Sequence, residues 1–132
     1  ATFTPTPKEN SPNTGTGQSP LMAAKGAGTA VDLQFAQACG GTSNVAYWGD
    51  ASGPFASLSA MTWTGSVCQA GAATKISFDP GDPAPGHFIY FVTVAQNGAK
   101  EGSYGKATSG DERSQAGALP CHQPQDLAGA CQ

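Results

Sequence analysis

Short stretches in which apolar and polar residues alternate follow one another from Leu21 onward, and helical periodicity is nowhere sustained. Residues 31–36 alternate Val, Leu and Phe with Asp, Gln and Ala, and residues 45–48 alternate Val and Tyr with Ala and Trp. A two-residue period is typical of half-buried β-strands. With 21–24 as an edge strand, we expect about seven strands. The remaining four are predicted at 60–67, 74–78, 87–95 and 101–108.

The stretch 87–95 is apolar on both faces, which is typical of a central strand covered on both sides. Asn97 and Gly98 favour a tight turn, after which 101–108 is predicted to return as a hairpin partner. Short strands separated by turn residues at this spacing predict an all-β antiparallel sandwich. The predicted core consists of Leu33, Phe35, Val45, Tyr47, Ile76, Phe78, Tyr90, Val92 and Val94.

Both ends of the chain differ from this middle part. Residues 1–20 are rich in Thr, Pro and Gly, and Phe3 is their one large apolar side chain, so burial cannot offset their conformational entropy. Residues 110–132 are rich in Gly, Pro, Gln and Ala and carry two cysteines. We therefore predict an extended arm at 1–20, a β-sandwich domain at 21–109 and a disulfide-stapled tail at 110–132. The arm needs another surface to become ordered, and its Ser and Thr residues are candidate sites for O-linked glycans.

Composition and charge narrow the range of partners. The 132 residues include 18 Gly and 10 Pro, which we assign to turns and tails, and only 11% are charged. The six Lys and Arg residues are scattered and the net charge is −3, so binding to nucleic acid or to an anionic membrane surface is disfavoured. No apolar run approaches the roughly 20 residues of a membrane-spanning helix.

The four cysteines, Cys39, Cys68, Cys121 and Cys131, favour disulfide bonds in an oxidising compartment. Their number is even and their spacing contains no C-x-x-C pair, so two disulfides are favoured over a zinc site. The spacing alone leaves all three pairings open. The start at Ala1 fits either a processed mature chain or an excised fragment, and either origin fits export, so we expect a secreted or cell-surface protein.

Residues with catalytic or metal-binding chemistry are few. His87 and His122 are interpreted as a strand-end and a tail histidine, and no Gly-x-Ser-x-Gly motif presents a nucleophile. The segment 79–82 is interpreted as a turn whose side chains bond to their own backbone. The prediction is a non-enzymatic protein without metal or cofactor. Calcium binding is the alternative for the acidic residues Asp79, Asp82, Asp111 and Glu112.

Two tryptophans have alternative roles. Trp48 and Trp63 lie on neighbouring predicted strands and are expected in the core, with an exposed sugar-stacking platform as the alternative. Tyr47 and Trp48 point to opposite faces of their strand, so only one of them faces the core. The other ring is then left for a rim, a ligand or a neighbouring subunit.

Four segments in order carry a resemblance to a known family. They are Asn44-Val-Ala-Tyr-Trp-Gly-Asp50, Pro85-Gly-His-Phe-Ile-Tyr-Phe-Val-Thr-Val-Ala-Gln-Asn-Gly98, Glu101-Gly-Ser-Tyr-Gly105 and Ser109-Gly-Asp-Glu-Arg113. This set, over roughly residues 20–121, resembles the fibronectin type III-like modules of secreted bacterial proteins. The resemblance implies an extracellular, immunoglobulin/fibronectin type III-like antiparallel β-sandwich that serves as a spacer, adhesion or assembly unit, and it offers no catalytic residues to carry over.

The resemblance also implies a preferred disulfide pairing. In fibronectin-like strand order, Cys39 and Cys68 lie at the same end of the sandwich. The expected bonds are therefore Cys39 with Cys68 and Cys121 with Cys131. The alternative joins Cys68 to Cys121.

Two hypotheses for the function follow. The first is an extracellular structural subunit that associates with copies of itself, possibly into filaments, when the arm of one copy lies along a strand edge of the next. Phe3, Thr4, Thr6 and Leu21 are the candidate interface residues. The alternative is an accessory spacer or carbohydrate-binding module of a larger secreted protein, with contact through Trp48 or Trp63.

Overall fold

The computed structural model describes residues 21–128 except 39, 70 and 72, and this part of the chain is all-β. It contains one 3₁₀ turn, Leu58–Ala60, and no α-helix. Among the described residues, therefore, no helix has the length and hydropathy needed to span a membrane. The six strands are β1 (Met22–Lys25), β2 (Val31–Gln34), β3 (Ser43–Ala51), β4 (Gly65–Gln69), β5 (Lys75–Phe78) and β6 (Phe88–Gln96).

The strands form two three-stranded sheets, and every pairing within them is antiparallel. One sheet has the order β1-β2-β5 and the other β4-β3-β6. The two long strands, β3 and β6, pair along their whole lengths, with Tyr47 opposite Val92. The strand order therefore places these two apolar strands side by side, with β3 in the middle of its sheet and β6 at the edge.

The β4-β3-β6 sheet is covered on both faces, as predicted for the strand at 87–95, but that strand, β6, lies at the edge of the sheet and not at its centre. Its inner face packs against the β1-β2-β5 sheet, and its outer face packs against the chain that follows β6. Alternate residues of β3 serve the two faces, because successive side chains of a strand point to opposite sides. The inner cluster contains Leu33, Phe35, Ala46, Ile76 and Phe78, and the outer cluster contains Val45, Tyr47, Val92, Val94, Tyr104 and Ala116.

The predicted strand phases and core are largely confirmed. Eight of the nine predicted core residues are buried. The exception is Tyr90, which is half-buried near the start of β6. The predicted turn at 79–82 is also present, since Asp79 accepts a hydrogen bond from the backbone N–H of Gly81 at 3.0 Å. The coarse prediction of an all-β protein with two antiparallel sheets is therefore confirmed.

The predicted strand at 101–108 is wrong. The turn at Asn97 forms, and Gln96 and Glu101 make one antiparallel bridge, but the chain then leaves the edge of β6 and crosses the outer face. Tyr104 stacks on Tyr47 there, with ring centroids 5.2 Å apart. Burial of Tyr104 on the sheet face competes with strand pairing at the edge and prevails.

The predicted strand at 60–67 is shorter than expected. Residues 58–60 form the 3₁₀ turn and β4 begins only at Gly65. The ring of Trp48 lies against Gly65, where a Cβ would come within 2.6 Å of the indole. The residue that pairs with Trp48 in this strand must therefore be glycine.

The preferred disulfide pairing is wrong, and the alternative is confirmed: Cys68 is bonded to Cys121. Their Cα atoms are 5.9 Å apart, and the bond joins β4 to the segment that follows β6. The pairing inferred from the family placed Cys121 in a separate tail, whereas this segment packs on the outer sheet face. Cys39 and Cys131 lie outside the described residues, as do Phe3, Thr4, Thr6 and the rest of the predicted arm.

Candidate functional site

The segment that follows β6 is fixed by a buried carboxylate, that of Glu101. This side chain has no exposed surface and accepts hydrogen bonds from the hydroxyls of Tyr47 (3.0 Å) and Tyr104. The amide of Gln96 and the backbone N–H of Gln123 donate to it as well, each at 3.3 Å. A buried carboxylate is tolerated only when such donors replace water. Glu101 therefore joins β3, β6 and the final segment into one polar cluster inside an apolar face.

Protonation states in this cluster favour neutral tyrosines. Burial, followed by the charge of Glu101, raises the pKa of Tyr47 above its ordinary value, and burial with the Glu101 hydrogen bond raises the pKa of Tyr104 as well. The His122 ring lies 3.3 Å from the Glu101 carboxylate. Both hydroxyls therefore remain donors at neutral pH. The cluster is closed to solvent, and its chemistry is that of a structural anchor.

A row of aromatic rings leads from this buried cluster to the surface along the outer face. Tyr47 and Tyr104 contact Trp63, which in turn contacts Tyr90 at a centroid distance of 5.5 Å. Tyr90 then contacts Phe55 at 5.2 Å and Phe88 at 6.1 Å. Phe88 is 44% exposed at the start of β6. The row therefore ends in an apolar surface beside the outer strand of the sheet. The rings in the row are those of Tyr47, Tyr104, Trp63, Tyr90, Phe55 and Phe88.

That outer strand, β6, has an unpaired edge. In the part of the chain that the structure describes, its second edge is paired only at its end, by the Gln96–Glu101 bridge. The carbonyl of Ala95 accepts a hydrogen bond from Gly102 there. Because backbone groups alternate in direction along a strand, those of Ile89, Phe91 and Thr93 point to the same open side. Residues 88–94 thus form a mostly apolar edge that another strand can join.

Two other strands at sheet edges are protected. The outer side of β4 is tied to the final segment by the Cys68–Cys121 bond and by a 2.8 Å hydrogen bond from Ser66 to the carbonyl of Pro120. β1 has only four residues, all exposed, and ends in Lys25. Short length and an edge lysine are devices with which proteins discourage strand addition. The edge of β6 has neither.

Both tryptophans that were predicted as contact residues pack against the core clusters. Trp48 stacks on Phe78 between the sheets, and Trp63 donates its indole N–H to the carbonyl of Ser114 at 2.8 Å. Both rings are half-buried. Leu21, a predicted assembly residue, is half-buried against the inner cluster. A ligand or subunit role for the two tryptophans stays a prediction.

The two histidines do not come together. His87 pairs with Asp50 at 2.5 Å at one end of the sandwich, and both side chains are partly exposed. His122 belongs to the Glu101 cluster. Within residues 21–128, where these are described, no three His, Cys, Asp or Glu side chains are arranged to hold a metal ion.

Sequence reasoning missed the role of Glu101 and the open edge. Glu101 lies in the Glu-Gly-Ser-Tyr-Gly segment, but its own signal is that of any polar residue after a turn. The edge of β6 is open because residues 101–108 do not form the predicted seventh strand. Only the position of Tyr104 in the structure reveals this. Comparisons with family models, with curated proteins and with solved structures find no match for this chain.

Proposed function

We propose that this protein is a non-enzymatic extracellular structural subunit that associates with copies of itself through its N-terminal arm. The observation that carries the proposal is the unpaired edge of β6, a long apolar strand at the side of the central sheet. An edge of this kind invites strand addition, and proteins that remain monomeric usually shield it. Addition of an extended segment from a second copy satisfies its backbone groups.

Three further features support the proposal. The arm at 1–20 is too polar to fold alone, so it is available to a partner. The Cys68–Cys121 bond is compatible with an oxidising, extracellular location. The two antiparallel sheets agree with a fibronectin type III-like module, and we propose that relationship as the finer description of the fold.

A second candidate function is an accessory carbohydrate-binding or spacer module of a larger secreted protein. One observation favours it: Phe55, Phe88 and Tyr90 form a partly exposed aromatic surface at one end of β6. Aromatic faces of this kind stack on sugar rings as readily as on protein. This alternative needs no contact between copies.

Removal of residues 1–20 tests the proposal. The shortened chain is expected to be a monomer that keeps the β-sheet circular dichroism signal, while the full chain forms larger species visible by light scattering and electron microscopy. A full chain that stays monomeric at millimolar concentration contradicts self-association, and retention on a glycan column would then favour the carbohydrate-binding module. Equal assembly of the two chains contradicts the role of the arm.

A further inference from the structure

We propose that residues 2–7 of a second copy form the missing seventh strand, antiparallel to β6, with their threonines bonded to it and their prolines on the outer side. This inference rests on the proposed function and identifies both surfaces of the contact. All pairings between the described strands are antiparallel, so the added strand continues the pattern of its sheet. The acceptor is the open edge of β6, and the donor segment lies outside the described residues.

The backbone of β6 fixes which of its residues bond to the added strand. The hydrogen bonds from Gly102 to Ala95 and from Asn97 to Lys100 show that odd-numbered residues point away from β3 at this end of the strand. The alternation of a β-strand carries the same direction to Thr93, Phe91 and Ile89. Three donors and three acceptors, spaced two residues apart, are therefore available on the open side.

The arm has a matching alternation. Its first residues read Ala-Thr-Phe-Thr-Pro-Thr-Pro, so Thr2, Thr4 and Thr6 have one parity, and Phe3, Pro5 and Pro7 have the other. Proline has no N–H to donate, and within a sheet it is tolerated at an edge when its nitrogen faces solvent. A strand whose threonines bond to β6 places every proline nitrogen on the outer side. The opposite parity would lose two of its donors.

The side chains also fit this register. Opposed residues of an antiparallel pair point to the same face, so Thr2, Thr4 and Thr6 pair with Thr93, Phe91 and Ile89 on the inner face. Pairs of threonines and pairs of aromatic with β-branched residues are favourable across strands.

The other parity of the arm then faces the aromatic row. Pro5 and Pro7 lie opposite Tyr90 and Phe88, and Phe3 lies opposite Val92, all on the outer face. Phe88 is the most exposed ring of the described chain, and these apolar partners cover it. The aromatic surface is thereby part of the same interface as the edge.

The arrangement has a consequence for the shape of the assembly. The prolines leave the outer side of the added strand without two of its donors, so a further strand cannot continue the sheet. The sheet therefore stops growing sideways after each arm. Residues 8–20 span at most about 45 Å when extended, which is enough to reach a neighbouring copy. A head-to-tail contact that does not close on itself produces a linear chain of subunits.

Moving one proline by one position tests the inference on the full chain. The variant with Thr4→Pro and Pro5→Thr keeps the composition but removes a donor that faces β6, and we expect its critical assembly concentration to rise by roughly fivefold or more. The matched control, Thr14→Pro, introduces a proline into the connecting residues 8–20 instead of the paired segment and should assemble at the wild-type concentration. Both variants change only residues outside the described part of the chain, and we expect the thermal unfolding of the monomers to be unaffected.

Hydrogen exchange locates the acceptor. In assembled material, the amides of Ile89, Phe91 and Thr93 are expected to exchange about tenfold or more slowly than in dilute monomer, with no such change at Met22–Lys25. Protection of β1 instead of β6, or equal assembly of the two arm variants, overturns the inference. If those results appear while removal of residues 1–20 still abolishes assembly, the proposed function stands and only the pairing is wrong. If the shortened chain still assembles, the proposed function itself fails.

Discussion

At the scale of single residues, Glu101 and Tyr104 lie in the predicted strand 101–108 but form a buried polar cluster with Tyr47 instead. The carboxylate is surrounded by donors that belong to β3, β6 and the final segment. Among the described residues, Glu101 is the only buried side chain that can carry a full charge as a carboxylate. Each donor removed leaves a charged acceptor partly unsatisfied, and this costs more than a hydrogen bond between neutral groups.

The two tyrosines predict a loss of stability at alkaline pH. Because the pKa values of Tyr47 and Tyr104 are raised on folding, their protonated forms are favoured in the native state. Their contribution is therefore complete below the ordinary tyrosine pKa of about 10 and decreases as the pH rises above it. Urea unfolding between pH 8 and pH 11.5 should show this decrease. In Tyr104→Phe, stability at pH 8 should be lower but its decrease above pH 10 should be shallower. An equally steep decrease contradicts the assignment.

At the scale of elements, the strands that the sequence predicted well are those whose burial follows from alternation alone. β2, β3, β5 and β6 place Leu33, Val45, Ile76 and Val94 inside as expected, because a shift by one residue would expose a whole apolar set. The failures involve long-range competition. Tyr104 stacks on Tyr47 on the sheet face instead of pairing at the edge of β6, and the local alternation of apolar and polar residues does not predict this. For the same reason the open edge of the candidate site could not be predicted from sequence.

The bond between β4 and the final segment carries the second prediction. Cys68 and Cys121 are separated by 53 residues. In the chain-entropy model, closing a loop of that length lowers the entropy of the unfolded chain and so stabilises the fold by about 4 kcal/mol. The double variant Cys68→Ser with Cys121→Ser should lose a comparable part of its unfolding free energy in urea and remain folded at 25 °C. Wild-type stability in this variant would show that the hydrogen bond from Ser66 to Pro120 holds the edge without the disulfide.

At the scale of the whole molecule, the fold and the proposed assembly depend on different parts of the chain. Residues that follow β6 complete the fold, because Tyr104 and Ala116 cover the outer face of the central sheet and contribute two of its six buried residues. Residues 1–20 lie outside the described part of the chain, and the proposed function assigns them to assembly. On this proposal, assembly can be changed without changing the fold.

This division predicts unequal effects of truncation at the two ends. A chain that ends at residue 100, with Cys39→Ser and Cys68→Ser so that no free thiol remains, leaves Val45, Tyr47, Val92 and Val94 without their cover. Exposing side chains of this size costs about 1.5–3 kcal/mol each, and a typical domain has only about 5–15 kcal/mol of stability in total. The chain should therefore lose its cooperative thermal transition and bind a dye that recognises exposed apolar surface.

Two full-length references separate the causes of that loss. The full-length variant with Ser at all four cysteine positions keeps the final segment without any disulfide, and it should keep a cooperative transition at a lower temperature. Removal of residues 1–20 should leave the transition almost unchanged. If the chain that ends at residue 100 unfolds as cooperatively as the disulfide-free variant, the final segment is a cover that the sheet does not need. Glu101 would then be dispensable as well. The hydrogen bonds that Tyr47 of β3 and Gln96 of β6 donate to its carboxylate would not be needed to keep the sheet folded.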